Sequence, residues 1–333
     1  MRASGLFVLI SSGLWFVLAG GCSSSPDQQP AVTTKPAGVP APATAPAPAA
    51  APASIRVGAW NIEWLGSPER RSGPAENHAQ TPAALAEYIL ESKVDILGLA
   101  EIAQNVEDRP GTNATLTAAL RLVEQQTGGK WQHRLFPARS GRNQCCGIAW
   151  DTTRVASVDE PCPITQPEQT SLQGKPLWSR PPYGLTFSAG EGLTDFVVIV
   201  IHMKSDYGGD FSHHRAEEAV HLVIDLPGVI QDGDVIIIGD SNCGTHGEPA
   251  VAAIETGGGF IDLNADDTPT HGTYGALDRA FVPQDQPEFA DRYFEVFSDS
   301  FLSTHGLSTE EFKVNYSDHF MVITQVTVIP DDD

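Results

Sequence analysis

The sequence predicts an α/β domain built on mixed β-sheets. Apolar runs rich in β-branched residues, such as Val94–Ala100, Asp195–Ile201 and Asp234–Ile238, are typical of buried strands. Segments with helical spacing of apolar residues separate some strands, whereas other strands follow one another directly. Parallel neighbours need a long crossover and antiparallel neighbours do not. The pattern therefore favours mixed sheets over a doubly wound parallel sheet.

The predicted elements follow from local patterns. Thr81–Ser92 is predicted as a helix because Leu85, Tyr88 and Ile89 recur at helical spacing and Pro82 suits a first turn. The other predicted helices are Thr112–Gln126 and Ser212–Leu226. The predicted strands are Ile55–Asn61, Val94–Ala100, Trp131–Ala138, Gly147–Asp151, Leu185–Ser188, Asp195–Ile201, Asp234–Ile238, Leu277–Val282 and Phe320–Val328.

Residues 1–21 have the pattern of an export signal. Arg2 precedes the apolar run Leu6–Leu18, which is too short for a comfortable membrane span, and small residues follow it. A cysteine directly after small residues resembles a bacterial lipoprotein box, which implies that Cys22 is lipidated. The alternative is an ordinary secretory signal in which Cys22 has no role. We expect a cell-envelope protein, either periplasmic or on the outer surface.

Residues 22–54 are predicted to form a disordered stalk. After Cys22 the segment consists mostly of Ser, Pro, Ala and Thr, with almost no large apolar side chain. Such a segment cannot bury enough apolar surface to fold. In polyproline geometry it would reach up to about 100 Å, enough to hold the next domain away from a membrane.

Residues 55–333 are predicted to form one large domain, since no second linker interrupts them. The chain has 42 acidic and 20 basic residues and a formal net charge of −22. This balance opposes non-specific binding to polyanions. An exported domain can form disulfides, and we expect Cys162 to pair with Cys145 or Cys146. The absence of a CxxC spacing argues against a zinc–thiolate site.

Residues at the ends of three predicted strands can bind a hard divalent cation. Glu101 follows a buried strand, Asn61 follows the first strand, and Asp318 precedes the last strand. Carboxylate and amide oxygens suit Mg²⁺, which often keeps few protein ligands and several waters. We predict a Mg²⁺ site, with Mn²⁺ or Ca²⁺ as alternatives, in which Glu101 is the main ligand. Asp318 is either a ligand or a supporting group.

Other strand ends carry residues suited to proton transfer. Asp240 can take a proton from water, and Asn242 can hold the phosphate or the nucleophile. A histidine near phosphate, here His319, can stabilise charge or transfer a proton. Asp278 is expected to orient His319, because a carboxylate in an apolar strand needs a partner. His202 ends the most apolar strand and is predicted as a second proton carrier.

These motifs resemble those of the endonuclease/exonuclease/phosphatase superfamily. The matching segments are, in order, Trp60–Leu65, Leu99–Ile102, Val200–Ser205, Gly239–Asn242 and Ser317–Phe320. The resemblance covers nearly all of residues 55–328. It implies an α/β four-layer sandwich of two mixed β-sheets flanked by helices. It also implies Mg²⁺-dependent phosphoester cleavage by the predicted ligands and catalytic residues.

Two further segments look like the pancreatic-type deoxyribonucleases. The first, Ser140–Asn143, implies a loop in which Arg142 and Asn143 contact DNA. The second, Trp178–Pro181, implies that Arg180 contacts phosphate. This likeness favours DNA as the substrate.

The likeness to those nucleases is incomplete. Thr273 stands where they carry a site threonine, but Cys145 replaces an aromatic residue and Gly147 replaces an acid that pairs with the catalytic histidine. Six cations near predicted site loops form either a basic cluster or scattered solubilising charge. They are Arg139, Arg142, Lys175, Arg180, Lys204 and Arg215.

Three functions are consistent with the sequence. The first is a monomeric, surface-tethered Mg²⁺-dependent nuclease that acts on DNA and touches the membrane only through its N-terminal lipid. The second is a lipid-directed phosphodiesterase or phosphatase, sphingomyelinase-like or inositol-phosphate-phosphatase-like. It needs an exposed apolar hairpin, and the best segment, Pro287–Phe297, interleaves its aromatic residues with charges. The third is a non-enzymatic exported binding module, which would predict gaps among the site residues.

Overall fold

The computed structural model describes residues 53–67, 80–103, 111–139, 144–166 and 168–331. The export signal, the lipidation site Cys22, nearly all of the stalk, and the predicted DNA contacts Arg142 and Asn143 lie outside these ranges. Within them, no helix combines the length and apolar character needed to cross a membrane.

Helices separate some strands of the described chain, whereas β3 to β8 follow one another directly. The strands are β1 (Ser54–Leu65), β2 (Ile96–Ala103), β3 (Trp131–Leu135), β4 (Gln144–Asp151), β5 (Ala156–Ser157), β6 (Cys162–Pro163), β7 (Tyr183–Ser188), β8 (Asp195–His202), β9 (Val235–Asp240), β10 (Phe260–Asp262), β11 (Asp278–Pro283), β12 (Glu295–Phe297) and β13 (Met321–Thr327). The α-helices are α1 (Pro82–Ser92), α2 (Ala114–Thr127), α3 (Ser212–Val229), α4 (Pro249–Gly258), α5 (Asp299–His305) and α6 (Thr309–Asn315). Every predicted strand and helix overlaps one of these elements.

Both sheets are mixed, as predicted. The six-stranded sheet has the order β12-β13-β1-β2-β4-β3, and the seven-stranded sheet has the order β10-β11-β9-β8-β7-β5, with β6 also paired to β7. One pair in each sheet is parallel, β1 with β2 and β8 with β9. The helices α1 and α3 supply the crossovers that these parallel pairs need.

Three apolar cores separate the layers. Trp150 and Phe187 belong to the core between the two sheets. Trp60 and Tyr88 belong to the core between the six-stranded sheet and its helices, and Leu222 belongs to the core between the seven-stranded sheet and α3 and α4. Each sheet is thus covered by apolar side chains on both faces. The fold is the predicted four-layer sandwich of two mixed sheets flanked by helices.

The predicted disulfide is wrong, because Cys162, which both predicted pairings require, is a free thiol. Neighbouring residues of a strand point to opposite faces. Cys145 therefore lies in the helix-side core of the six-stranded sheet, and Cys146 lies in the core between the sheets. Cys162 packs against the core on the outer face of the other sheet. Intervening sheet layers keep the three thiols apart.

Candidate active site

The carboxyl ends of the two parallel strand pairs meet at one end of the sandwich. In the strand register, His202 at the end of β8 lies beside Asp240 at the end of β9, which in turn lies beside Asp278 at the start of β11. From the other sheet, Asn61 donates a hydrogen bond from Nδ2 to Asp240 Oδ2 at 2.9 Å. His202 Nε2 lies 3.8 Å from Glu101 Oε1. Residues predicted from five separate segments thus share one site.

The backbone around this site adopts conformations that most residues avoid. Gly239 has φ of 139°, and a Cβ there would lie 2.3 Å from the carbonyl oxygen of Ile201. A glycine is therefore required for β9 to approach β8 closely just before Asp240. Glu101 and Asn242 have φ of 61° and 52°. Each left-handed residue costs on the order of 1 kcal/mol, a strain that often marks functional sites.

His319 and Asp278 form a buried hydrogen-bonded pair. The distance from His319 Nδ1 to Asp278 Oδ2 is 2.8 Å, and Thr270 Oγ1 donates to the same carboxylate oxygen at 2.8 Å. Burial alone lowers the pKa of His319, but the carboxylates of Asp278, Asp240 and Asp318 raise this pKa well above its usual value. Because Nδ1 binds Asp278, the other ring nitrogen, Nε2, is available for proton transfer.

Asp240 lies between the two predicted histidines. Its Oδ2 atom is 3.9 Å from His319 Nε2 and 3.5 Å from His202 Nε2. The backbone N–H of Asn242 donates to Asp240 Oδ1 at 2.9 Å, so that both carboxylate oxygens are held. Burial raises the pKa of Asp240 to about 6, with His319 lowering it and Asp278 raising it. Such a carboxylate can accept a proton near neutral pH.

The amide side chains serve the site in different ways. Asn61 accepts a hydrogen bond from the backbone N–H of Glu63 at 3.1 Å while its Nδ2 holds Asp240. Asn242 donates from Nδ2 to the carbonyl of Met203 at 3.1 Å. In this geometry Asn61 holds the Asp240 carboxylate directly. Asn242 links the residues that follow β9 to those that follow β8.

Glu101 ends a chain of polar contacts that begins at Arg180. The Arg180 guanidinium donates to Gln144 Oε1, and Gln144 Nε2 donates to Glu101 Oε2 at 2.8 Å. Burial raises the pKa of Glu101 to about 7; Arg180 opposes this shift, and the carboxylates of Asp318 and Asp240 add to it. Several carboxylates sharing one buried site require a cation to remain ionised together.

The donor set fits a hard divalent ion. The oxygens of Glu101, Asp318 and Asn61 are of the type that Mg²⁺ prefers. In the described part of the chain, His319 also belongs to two clusters whose potential ligand atoms lie within 4.8 Å of one another. These clusters are His271–Asp318–His319 and Asp240–Asp278–His319.

His202 is buried and neutral. Burial lowers the pKa of His202 well below its usual value, and the positive charges of Arg180 and His319 lower it further. Among the described residues, its Nδ1 atom has no hydrogen-bond partner. At Gly147, a Cβ would lie 2.6 Å from the carbonyl oxygen of Arg134. The backbone of β3 thus leaves no room for an acid at that position.

His271 is a site residue that the sequence did not reveal, because it lies in a polar loop. Its Nδ1 atom accepts hydrogen bonds from the N–H groups of Thr273 and Tyr274 at 2.8 and 2.9 Å. Nε2 therefore carries the proton and lies 3.5 Å from Asp318 Oδ2.

The threonine at the site is not Thr273, the position that the sequence suggested. The Thr273 side chain is exposed, and Thr270 is the threonine that binds Asp278.

Of the six cations that the sequence places either in a basic cluster or as scattered charge, the structure brings some to the site and pairs others elsewhere. Arg215 is buried and pairs with Asp206 and Glu248 at 2.7 Å each, and Arg139 lies 3.6 Å from Glu168. Within the described ranges, the lysine and arginine side chains that line the cavity are Lys204 and Arg180, and protonated His319 adds a third positive charge. This cavity measures about 530 Å³ and also contains Glu101, His202, Asp318 and His319.

Glu218 is a second residue that sequence reasoning missed. It lies on α3, lines the cavity, and is 2% exposed. Its Oε2 atom accepts a hydrogen bond from the backbone N–H of Lys204 at 2.9 Å. Burial raises the pKa of Glu218 to about 8, although Lys204 and Arg215 oppose the shift. The folded state therefore favours the protonated carboxyl.

Glu218→Gln is expected to stabilise the protein more at pH 9 than at pH 5. Since the folded pKa of about 8 exceeds the reference value of 4.5, the stability contributed by this carboxyl falls as pH rises from 4.5 through 8. Glutamine does not titrate. The free energy of unfolding of the variant, relative to that of the wild type, should therefore rise by about 2 to 4 kcal/mol over this window. Urea unfolding at both pH values measures the difference. Glu217→Gln is the neighbouring control, and an equal effect at both pH values would contradict the expectation.

Structural comparison places the fold among known proteins. The human Nocturnin catalytic domain, solved with a bound sulfate anion, is 20% identical, with a TM-score of 0.57 over 83% of this chain and 95% of that chain. An endonuclease/exonuclease/phosphatase family protein from Leptotrichia buccalis is 15% identical, with a TM-score of 0.56 over 83% and 99%. D. rerio TDP2 complexed with single strand DNA product is 14% identical, with a TM-score of 0.51 over 84% and 100%. No family model and no curated protein matches the sequence.

Proposed function

We propose that this chain is a Mg²⁺-dependent phosphodiesterase that hydrolyses DNA as an endonuclease. One observation carries the proposal. A histidine held by a buried carboxylate, His319 with Asp278, opens into the same cavity as Glu101 and the cation Arg180. This combination supplies a proton carrier, a metal ligand and a phosphate-binding group within one site.

In the proposed mechanism each residue acts at a stated atom. Asp240, held by Asn61, accepts a proton from the attacking water. His319 donates a proton from Nε2 to the leaving oxygen, and Asp278 orients the ring through Nδ1 and favours its protonated form. Arg180 neutralises a phosphate oxygen. Glu101, Asn61 and Asp318 would hold Mg²⁺, which when bound would supply charge neutralisation for the phosphate.

Neutral His202 supports the developing charge by hydrogen bonding rather than as an acid. Its Nε2 atom lies near two carboxylates, and its pKa is lowered well below the usual value. It therefore donates a hydrogen bond from a neutral ring. A group of this kind stabilises an oxyanion without releasing its proton.

The DNA substrate is supported by sequence and by analogy. Arg180 matches the phosphate-contacting arginine of pancreatic-type deoxyribonucleases, and the TDP2 structure of the same fold holds a DNA product. The lipid-directed alternative lacks comparable support. In the segment Pro287–Phe297, Phe289 and Phe297 are buried in the cores and cannot enter a bilayer.

Plasmid cleavage tests this function. The full chain is incubated with supercoiled plasmid in Mg²⁺ or in excess chelator, beside sphingomyelin vesicles and an inositol phosphate. We expect nicking that depends on Mg²⁺ and disappears in Glu101→Gln. Intact plasmid with release of phosphocholine or phosphate from another substrate would keep the chemistry and overturn the DNA assignment.

Tethering to the cell envelope is a separate part of the proposal and has its support in residues 1–54 alone. Export, cleavage before Cys22 and lipidation would place the domain at the end of a stalk. Cys22→Ala should move the protein from the membrane fraction to the supernatant. An unchanged distribution would contradict lipidation.

A further inference from the structure

Within the described part of the chain, the cavity contains few cations to bind a strand by charge alone. Arg180, Lys204 and His319 line it, and Lys204 Nζ already donates to the carbonyl of Ser205 at 2.8 Å. Four carboxyl groups line the same cavity, those of Glu63, Glu101, Glu218 and Asp318. The whole chain carries a net charge of −22. Phosphate contacts alone would therefore give weak binding that salt weakens further.

Two exposed tyrosine rings line the same cavity. Tyr207 is 75% exposed and Tyr274 is 72% exposed. Tyr207 lies between β8 and α3, and Tyr274 lies in the loop before β11. They come from different loops but border one phosphoester site. Rings of this size are normally more buried, so their exposure here indicates a contact surface.

Both rings are carried by loops that are held in place. Asp206, next to Tyr207, accepts hydrogen bonds from the buried guanidinium of Arg215 at 2.7 and 3.2 Å. The Tyr274 ring packs on His271 with centroids 4.8 Å apart, and His271 packs edge-on against His319 at 4.7 Å. Little conformational freedom would be lost when a ligand covers these rings, which favours binding.

We propose that the site takes an unpaired DNA strand and that bases next to the cleaved phosphate stack on Tyr207 and Tyr274. This inference rests on the proposed phosphodiesterase function and names the form of its substrate. Bases within a duplex are covered on both faces by their neighbours, whereas unpaired bases can stack on aromatic side chains. Stacking needs no cation, so it suits an acidic protein.

Steady-state cleavage of one labelled oligonucleotide, single-stranded or annealed to its complement, tests the inference. We expect preference for the single strand. Tyr207→Ala and Tyr274→Ala should each raise KM for that strand about tenfold, with a smaller change in kcat. The Phe variants should restore a low KM because they keep the ring. Val158→Ala removes another exposed apolar side chain and serves as the control.

Two further measurements separate stacking from charge. On an oligonucleotide of abasic sites, the Ala variants and the wild type should have the same KM, since no base is present to stack. The slope of log affinity against log salt concentration should be about −1.4 for two phosphate contacts. A slope steeper than about −4, equal use of duplex and single strand, or unchanged KM in both Ala variants would overturn this inference and leave the phosphodiesterase function intact. Failure of the wild type to cleave either form would instead overturn the proposed function.

Discussion

His319→Ala is expected to lower kcat for DNA cleavage by about 10²- to 10⁴-fold, the range for loss of a positioned proton donor. Its imidazole is held at Nδ1 by Asp278, and its Nε2 atom lies 3.9 Å from Asp240. Asp278→Asn should reproduce much of the loss, because it removes a carboxylate charge that raises the pKa of His319 and favours the imidazolium that donates from Nε2. Single-turnover cleavage of a labelled oligonucleotide measures the rate of the chemical step.

Folding controls decide how the His319 result is interpreted. His305→Ala removes a histidine on α5 that binds Glu91 at 2.8 Å, away from the cavity, and should keep full activity. Circular dichroism and thermal unfolding should show that His319→Ala remains folded. A folded variant with near-normal turnover would contradict the role assigned to His319.

Glu101→Gln is expected to abolish both Mg²⁺ binding and metal-dependent turnover. Glu101 shares its buried surroundings with Asp318 and Asp240, whose charges help raise its pKa to about 7. Glutamine keeps much of the shape and removes the charge that attracts the ion. Calorimetric titration with Mg²⁺ should show no binding, and kcat should fall by at least about 10²-fold.

A readout besides activity tests the same residue. Ligands that bind only the folded state raise the unfolding temperature, so Mg²⁺ should stabilise the wild type and leave Glu101→Gln unchanged. Without metal, Glu101→Gln should be as stable as the wild type or more so, because it removes one of several clustered carboxylates. Glu191→Gln changes an exposed glutamate and serves as the charge-matched control. If Mg²⁺ stabilises Glu101→Gln and Glu191→Gln equally, Glu101 is not a metal ligand.

The strands β2, β8 and β9 were predictable because an uninterrupted apolar run leads to the site residue of each. In such a run a terminal polar residue, such as Glu101 or Asp240, stands out. The helix α4 was harder to predict, since its sequence is short and ends in two glycines. Sequence spacing also could not show that Glu218 turns its carboxyl into the protein, because a charged residue on a helix usually faces solvent.

Long-range contacts set the limits of the remaining predictions. His271 acts through Asp318, 47 positions later, and no local pattern connects the two. Likewise, Cys145 and Cys146 can be assigned to opposite faces of a strand, but the layer that contains Cys162 depends on the packing of the sheets. Such relations depend on the tertiary fold rather than on local propensity.

The pairing of β1 with β13 has a consequence for how this chain acquires its structure. Ser54 lies opposite Thr327 in that antiparallel pair, so the first strand of the domain needs the last one. In a nascent chain that ends before β13, β1 can pair with β2 on one side but has an open edge on the other. Contacts that join distant parts of the sequence close slowly, and folding must wait until the C-terminal strand is available. During synthesis the domain therefore stays incomplete until β13 emerges, a state in which chaperones can still engage it.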